Sequence, residues 1–397
     1  MAERRVLCFA SWYLPGFRAG GPVRSLMRLC EWLKDDFDFR IVTRNCDLGH
    51  PEPYADKLPD VWYPAGGTPV TYLPKPHWSP GRLRRIVREC QADLLYFHSF
   101  LDPSLVAMPL ALRRLGLLGP RTPVLVAPRG EFSPGALGLK KNRKVAWLRF
   151  VRLLQLFENV SWQATDENEA ALIRSLWGRQ ARVLIAPNLP PKVDAGDEPA
   201  RQAKLAGALR LVFLSRISPM KNLQDVLSAL AAVRQPVSLD IYGTTEDATY
   251  WRECEQQIGR LPASVTVRYR GPVQPEQVIA VLAGYDVFIL PTLGENFGHV
   301  ILEALLAGCP LLISDRTPWR DLAARGIGFD LPLGRPAAFG EAIGRFAAMD
   351  GTEFGAWSRA AREAGLRYCH NADLARVTRE VLAAAMDRFA GARPGGT

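Results

Sequence analysis

Short apolar runs alternate with longer amphipathic stretches along most of this 397-residue chain, and the alternation occurs twice. Apolar runs of about 4–8 residues are typical of buried strands, and the stretches between them have helical periodicity. Strands that alternate with helices form parallel sheets covered by helices on both faces. The sequence therefore predicts an α/β fold with two doubly wound domains.

The predicted strands form two groups. The first group is Val6 to Ala10, Phe39 to Thr43, Leu94 to His98, Val124 to Ala127 and Ser161 to Ala164. The second group is Leu211 to Ser215, Ser238 to Tyr242, Val265 to Tyr269, Val287 to Leu290 and Leu311 to Ser314. Helices are predicted over residues 21–33, 80–90, 103–115, 140–158, 166–177, 223–233, 275–282 and 299–307.

A segment with few large apolar residues separates the two groups of strands. Residues 187–207 are rich in Pro, Asp and Ala, a composition typical of an interdomain connection. We predict an N-terminal domain over 1–190, a linker over 191–209 and a C-terminal domain over 210–365. Because ligands of doubly wound sheets bind at the carboxyl ends of the strands, we expect the two domains to face each other across a deep cleft.

The seven cysteines are scattered, odd in number and without a C-x-x-C pair. This pattern argues against a disulfide framework and against a structural zinc site. No N-terminal apolar signal region is evident, and no apolar run approaches the roughly 18 residues needed to span a bilayer. We expect a cytoplasmic protein, either soluble or peripheral on the inner face of the plasma membrane.

The positive charge is concentrated in the first half of the chain. Residues 1–190 contain 27 Lys and Arg against 17 Asp and Glu, and the remainder is balanced. Basic residues cluster at 81–89 and at 140–157, where large apolar side chains are interleaved with cations. This pattern fits an anionic membrane surface, and it also fits helices that pack on their own domain with the cations in water. Nucleic acid is disfavoured because no recognition motif is present.

The segment from Tyr285 to Pro310 reads as a buried strand, a turn and a helix. The unpaired N–H groups at the start of such a helix can bind a diphosphate, and Gly298 allows a close approach. Glu295 lies in the loop, and Glu303 lies about one turn into the helix. The arrangement suits a phosphorylated sugar, although two acids in isolation would more simply face solvent.

The run GENFGH with the spacing E-x7-E, followed by EALLAGCPLLISD, resembles the donor site of family 4 retaining glycosyltransferases of the GT-B fold. The resemblance implies that Glu295 binds hydroxyls of the donor sugar and that Glu303 binds the ribose of the nucleotide. It also implies that Asn296, Phe297 and Gly298 surround the phosphates.

The same resemblance implies two Rossmann-like domains and a C-terminal helix, over 366–390, that crosses back to the N-terminal domain. The tail 391–397 is expected to be disordered.

A second donor-site segment is LSRISPMKN, in which Arg216 and Lys221 follow a predicted strand. In the family, the matching residues bind the pyrophosphate and stabilise the charge on the departing nucleotide. Gly243 and Val273 are further expected donor-binding positions. We expect no metal, because the one D-x-D sequence, Asp36 to Asp38, ends an acidic helix. We also expect no cofactor, and a UDP- or GDP-linked sugar as substrate.

In the N-terminal half, Gly20 and Gly21 lie between a strand and a helix, where family 4 enzymes have a glycine-rich loop along the diphosphate and acceptor side. The resemblance gives His98, at a strand end, a contact to the donor sugar near the reaction centre. The expected contacts on the acceptor side are Arg18, Arg24 and Arg129.

These observations predict a metal-independent retaining transferase that moves a sugar from a nucleotide-sugar donor to an acceptor hydroxyl. Front-face displacement is the mechanism implied, and it needs no enzyme nucleophile. The expected acceptor is a lipid-linked or growing glycan of bacterial envelope polysaccharide, by analogy with the family. The alternatives are a nonhydrolysing sugar-nucleotide epimerase of the same fold and an inactive sugar-nucleotide-binding scaffold.

Overall fold

The computed structural model describes residues 4–73, 79–118, 122–133, 135, 141–194, 196 and 199–387. The chain divides into two compact units, the first formed by residues 1–189 and 372–397 and the second by residues 190–371. The predicted tail 391–397 and the predicted helix start at residue 140 lie outside the described residues.

The first unit contains an eight-stranded sheet in the order β3-β4-β2-β1-β5-β6-β7-β8. All neighbouring strands are parallel except the pair of β3 and β4. The strands are β1 Arg4–Phe9, β2 Phe37–Arg44, β3 Trp62–Ala65, β4 Thr68–Leu73, β5 Leu94–Phe97, β6 Val124–Val126, β7 Ser161–Ala164 and β8 Val183–Ile185. The helices are α1 Gly21–Leu33, α2 Pro80–Cys90, α3 Met108–Arg114, α4 Lys141–Leu153 and α5 Glu167–Trp177, with a π-helical turn over Pro103–Ala107.

The core of the first unit lies on both faces of its central strands. β5 and the part of β1 after Arg5 are apolar and buried, and the rings of Phe9 and Phe97 stack with centroids 4.9 Å apart. Continuous apolar runs are required because helices cover both faces of a parallel sheet. Strand order reverses between β1 and β5, so the loops that follow these two strands flank the position where such sheets bind ligands.

The second unit contains a six-stranded parallel sheet in the order β11-β10-β9-β12-β13-β14. The strands are β9 Leu209–Leu214, β10 Val237–Tyr242, β11 Val265–Gly271, β12 Val287–Leu290, β13 Leu311–Ser314 and β14 Gly328–Leu331. The helices are α6 Leu223–Leu230, α7 Ala248–Ile258, α8 Val278–Ala283, α9 His299–Leu306, α10 Pro336–Ala348 and α11 Gly351–Cys369. Strand order reverses between β9 and β12.

The segment predicted as a linker, 191–209, forms part of the second unit. The guanidinium of Arg201 donates to the carbonyl of Tyr285 at 2.7 Å, and the Lys204 ammonium donates to the carbonyl of Ala208 at 2.5 Å. The Arg201 guanidinium therefore attaches the segment to the rest of the second unit through a main-chain carbonyl.

The chain returns to the first unit at residue 372, where the last helix, α12 Asp373–Met386, begins. Within that unit, Arg379 Nε lies 2.7 Å from Asp36 Oδ1, and Arg182 donates to the carbonyl of Ala384 at 2.7 Å. The boundary predicted at 366 falls inside α11. At Gly365 that helix packs closely on Leu305 and Leu306 of the second unit.

Candidate functional site

Two loops at the carboxyl ends of β9 and β12 are hydrogen-bonded to each other. The Leu293 N–H donates to the Met220 carbonyl at 2.9 Å, and the Asn222 amide donates to the Pro291 carbonyl at 3.0 Å. Asn222 has a φ of 57°, a left-handed conformation that Asn tolerates, and it separates the 3-10 turn Pro219–Lys221 from α6. The two loops therefore form one surface at the reversal of strand order in the second sheet.

Lys221 and Glu295, one from each loop, are in direct contact. Lys221 Nζ lies 2.5 Å from Glu295 Oε2, and the two side chains are only 13% and 17% exposed. The Glu295 N–H also donates to the carbonyl of Arg316 at 3.0 Å, which fixes the backbone of its loop. A nearly buried cation beside a carboxylate can bind a ligand that carries both phosphate and hydroxyl groups.

Gly298 sets the geometry between Glu295 and the start of α9. It caps α9 with a φ of 78°, and a Cβ there would lie 2.6 Å from Ile301 Cδ1 and 3.0 Å from Glu295 Cγ. Glycine is therefore required for both its conformation and its size. No side chain caps α9, a helix whose residues are all described, and such a helix start can bind an anion through its amides.

Phe297, which the resemblance placed beside the phosphates, lies in an aromatic cluster. Its buried ring lies 4.9 Å from the His299 ring, 5.7 Å from Trp319 and 5.4 Å from Tyr368. The Trp319 indole N–H donates to the Phe297 carbonyl at 2.6 Å. Phe297 thus anchors the loop to the core, and its ring is used for packing. The sequence motifs gave no signal for Trp319 or Tyr368.

Arg216, which follows β9, contacts a carboxylate that the sequence analysis missed. Its Nη1 lies 2.9 Å from each carboxylate oxygen of Glu246, and both side chains are partly exposed. The Ile217 N–H donates to the Thr244 carbonyl at 2.8 Å, which joins the loops after β9 and β10. The structure therefore gives Lys221 and Arg216 separate acidic partners.

The remaining predicted donor residues differ in their surroundings. Gly243 has a φ of 139°, and a Cβ there would lie 1.8 Å from the backbone oxygen of Ser215. Its lack of a side chain is explained by strand packing alone. Glu303 is buried on α9, Asn296 is half-buried in the preceding loop, and Val273 is half-buried against the core.

In the first unit, the glycine-rich loop after β1 is held by an aspartate. Asp47 Oδ2 accepts from the N–H groups of Phe17 at 3.1 Å and Arg18 at 3.3 Å. Gly20 has a φ of 69° and caps α1, which begins at Gly21, and the Arg24 N–H donates to the Gly20 carbonyl at 3.2 Å. The side chains of Arg18 and Arg24 are half-buried.

His98 follows β5 and is in contact with Arg129, which the sequence assigned to the acceptor side. His98 is 4% exposed, and its Nδ1 lies 3.5 Å from Arg129 Nη2. Arg129 also donates to the Tyr96 hydroxyl at 3.1 Å and to Asn188 Oδ1 at 2.8 Å. Burial, and then the charge of Arg129, lower the pKa of His98 well below its usual 6.5, so the imidazole is neutral.

Glu131 binds the segment directly after His98. Its carboxylate accepts from the Ser99 hydroxyl at 2.7 Å and from the N–H groups of Phe100 at 2.5 Å and Leu101 at 3.2 Å. Burial raises the pKa of Glu131 to about 7, and these three donors oppose the rise. Glu131 was not among the residues predicted from the sequence.

The two acids of the D-x-D sequence are both engaged in ion pairs. Asp38 Oδ2 lies 2.6 Å from Arg5 Nε, and Asp36 is bound by Arg379. Over the described ranges, no group of three or more His, Cys, Asp and Glu side chains is placed to hold a metal ion.

Two family profiles match the chain, one in each half. The profile described as "Glycosyl transferase 4-like domain" matches residues 20–189, and the profile described as "Glycosyl transferases group 1" matches residues 196–363. The chain belongs to the family 4 glycosyltransferases. The second match contains Lys221, Glu295 and α9, so it covers both of the loops that follow β9 and β12.

Relatives of this family 4 chain align with less than half of it. Phosphatidyl-myo-inositol mannosyltransferase of Mycobacterium leprae is 30% identical over 177 residues, which are 42% of this chain and 46% of that protein. D-inositol 3-phosphate glycosyltransferase of Geodermatophilus obscurus is 28% identical over 198 residues, 45% of this chain and 44% of that protein. The chain thus spans about half the length of the curated relatives it matches.

Solved structures identify the fold of this family 4 member as GT-B. HepE of Anabaena, in complex with UDP and glucose, superimposes with a TM-score of 0.72 at 16% identity, over 96% of this chain and 100% of that chain. Sucrose-phosphate synthase of Thermosynechococcus elongatus gives 0.69 at 18% identity, over 96% and 100%. At such identity the similarity shows the fold alone.

Proposed function

We propose that this protein is a retaining glycosyltransferase that moves a hexosyl group from a nucleotide-sugar donor to an acceptor hydroxyl. The observation that supports this proposal best is the contact of Lys221 with Glu295 at the reversal of strand order, beside the start of α9. A cation, a carboxylate and uncapped helix amides are the groups that a diphosphate-linked sugar requires. The complex of HepE with UDP and glucose supports a donor of this class.

The chemistry follows from the charges at this site. The bond between the sugar carbon and the diphosphate oxygen breaks, and negative charge develops on the departing nucleotide. Lys221 and Arg216 stabilise that charge, and Glu295 orients the sugar through its hydroxyls. The acceptor oxygen forms the new bond on the same face, and its proton passes to the leaving phosphate oxygen. This exchange retains the anomeric configuration and needs no covalent enzyme intermediate.

The ion pair and the donor can use the same ammonium group. Lys221 has three N–H donors, and one of them is directed to Glu295. The other two can bind phosphate oxygens while Glu295 accepts from a sugar hydroxyl. Because these cations supply the positive charge at the leaving group, we propose that the transfer is metal-independent.

A thermal-shift screen of UDP-, GDP-, ADP- and TDP-sugars in excess chelator tests donor binding. A donor present at about 100 times its Kd adds about 2.7 kcal/mol to the free energy of unfolding. We expect one nucleotide class to raise Tm in the wild type and not in Lys221→Ala. A wild-type Tm shift that is absent in chelator and present with added manganese would contradict the proposed metal independence of the site.

Helix α4 has an exposed apolar face, which supports our proposal for the acceptor. Leu153 is 82% exposed and Phe150 is 48% exposed, and Arg143 and Arg149 on the same helix are also exposed. Exposed large apolar side chains among cations are typical of a helix that binds an anionic membrane surface. We therefore propose a lipid-linked or growing glycan of the bacterial envelope as acceptor, at the inner face of the plasma membrane.

None of the helices in the described ranges combines the length and apolarity of a membrane span.

Cosedimentation with vesicles tests this surface. We expect binding to vesicles that contain phosphatidylglycerol and weaker binding in high salt, because the cations contribute through an electrostatic attraction. Leu153→Glu should weaken binding about tenfold, since burying one leucine contributes about 1.5 kcal/mol or more. Leu205→Glu is the matched control, because Leu205 is 72% exposed but lies in the second unit. Equal binding by both variants would contradict the proposed membrane face.

A further inference from the structure

The side chains of Arg129 and His98 form a pair whose hydrogen bond has a definite direction. We propose that Arg129 is a positioning residue that holds His98 as the neutral tautomer with its proton on Nε2. His98 then acts as a hydrogen-bond donor to a sugar oxygen rather than as a base. The identity of the sugar ligand rests on the proposed function, whereas the tautomer does not.

The direction of the bond follows from the chemistry of the guanidinium group. Arginine carries only N–H donors, so any hydrogen bond it makes to an imidazole nitrogen requires that nitrogen to accept. Arg129 Nη2 lies 3.5 Å from Nδ1 of His98. A neutral imidazole has one protonated and one unprotonated nitrogen. With Nδ1 as the acceptor, the proton lies on Nε2.

The surroundings of the ring keep it neutral. The Tyr96 ring lies 4.1 Å from the His98 ring, and the His98 backbone N–H donates to the Phe9 carbonyl at 2.9 Å in the neighbouring strand. The charged group that faces the ring is the Arg129 guanidinium. An imidazolium at this position would be both buried and next to a like charge.

Two acids of this unit bind the backbone next to the pair. Glu131 accepts from Ser99 and from the backbone N–H groups of Phe100 and Leu101. Glu169 accepts from the Thr165 hydroxyl at 2.9 Å and from the Gly130 N–H at 2.7 Å. Their contacts hold the backbone on either side of the pair, while the ring itself faces the guanidinium.

Arg129 is held in place from several directions. Its backbone has a φ of 53°, a conformation that residues other than glycine rarely adopt. Asn188 accepts from its Nη1, and the Tyr96 hydroxyl accepts from its Nη2. Fixing a side chain through its backbone and two acceptors is what a positioning role requires.

Two atoms of this pair, Nε of Arg129 and Nε2 of His98, are buried without a hydrogen-bond partner among the described residues. On the imidazole, Nε2 is the nitrogen that remains for a ligand, because Nδ1 faces the guanidinium. A buried N–H without an acceptor is unfavourable, and a ligand oxygen would remove that cost. Since Nε2–H is a donor, the ligand atom that it recognises is an acceptor such as a hydroxyl oxygen of the transferred sugar.

Two amide substitutions of His98 test the proposal through activity. The amide nitrogen of His98→Gln can occupy the position of Nε2 and donate, whereas the shorter amide of His98→Asn corresponds to the position of Nδ1. We expect kcat/KM of the Gln variant to stay within about tenfold of wild type and that of the Asn variant to fall about 100-fold. Equal losses of about 100-fold or more in both, as for a lost base, would overturn the donor role.

The tautomer can be measured without any substrate. In protein labelled with 15N-histidine, the wild-type His98 signals at pH 7 should show a protonated Nε2 and an unprotonated Nδ1. His98→Gln identifies those signals by their absence. Arg129→Gln should shift the signals toward a mixture of tautomers, and Arg129→Lys, whose ammonium also only donates, should restore the wild-type pattern. An imidazolium, or a proton on Nδ1 in the wild type, would overturn the proposal even if the protein transfers no sugar.

Discussion

Replacing Lys221 with alanine is expected to lower kcat/KM for sugar transfer by about 10²–10³-fold without unfolding the protein. The substitution removes the ammonium that lies 2.5 Å from Glu295 and the positive charge proposed to stabilise the departing nucleotide. Lys221 is only 13% exposed, yet it lies at the end of a 3-10 turn rather than in a packed core. Steady-state kinetics combined with circular dichroism would separate lost chemistry from lost structure.

Glu295→Gln should give a comparable loss, because the amide keeps the shape of the carboxylate but loses its charge. The control is Arg367→Ala, which breaks an exposed ion pair of Arg367 with Glu363 at 3.6 Å in the same unit. Exposed pairs of this kind contribute little to stability. Full activity in Lys221→Ala and Glu295→Gln would contradict the assignment of the donor site.

Replacing Gly243 with alanine is expected to destabilise the second unit by about 3 kcal/mol or more. A Cβ at this position would lie 1.8 Å from the backbone oxygen of Ser215 and 2.7 Å from its backbone carbon. Neither atom can move without separating the ends of β9 and β10. Because the φ of 139° is also unfavourable for alanine, conformational strain adds to the overlap. Urea-induced unfolding of both proteins would measure the difference.

Gly334→Ala is the matched control for backbone strain. Gly334 has a φ of 76°, and a Cβ there meets no atom within 4 Å, so its cost should be about 1 kcal/mol. The two variants together isolate the cost of the overlap with Ser215. Wild-type stability in Gly243→Ala, accompanied by lost donor binding, would instead assign Gly243 to ligand contact alone.

The central strands of both sheets could be predicted from sequence because burial on both faces requires continuous apolar runs. Three of the strands that escaped prediction lack such runs, because β3 and β4 each contain a proline and β14 begins with glycine. The fourth, β8, is an apolar run of three residues, as short as the predicted strand β6. Three of these four strands, β3, β8 and β14, lie at sheet edges. An edge strand pairs with one strand instead of two, so fewer of its side chains must be apolar.

The end of one helix was also predicted wrongly. The helix predicted to reach residue 158 ends at Leu153, and Gln155, two residues later, has a left-handed φ of 52°.

The site was predictable wherever topology alone brings residues together. Lys221 and Glu295 are 74 residues apart in sequence, but they follow strands that are adjacent in the sheet, so their contact follows from strand order. Side-chain pairings that depend on tertiary packing were missed. The contact of Arg216 with Glu246 and the packing of Phe297 on Trp319 involve residues that belong to no motif.

The central claim is that this chain transfers a sugar with retention, and the anomeric configuration of the product tests it most directly. Wild-type protein would be incubated with an α-linked nucleotide sugar and an acceptor in excess chelator, and the product would be examined by proton NMR. We predict an α-linked product, with one nucleoside diphosphate released for each bond formed. A β-linked product, or a free or epimerised sugar formed equally well without acceptor, would contradict the account.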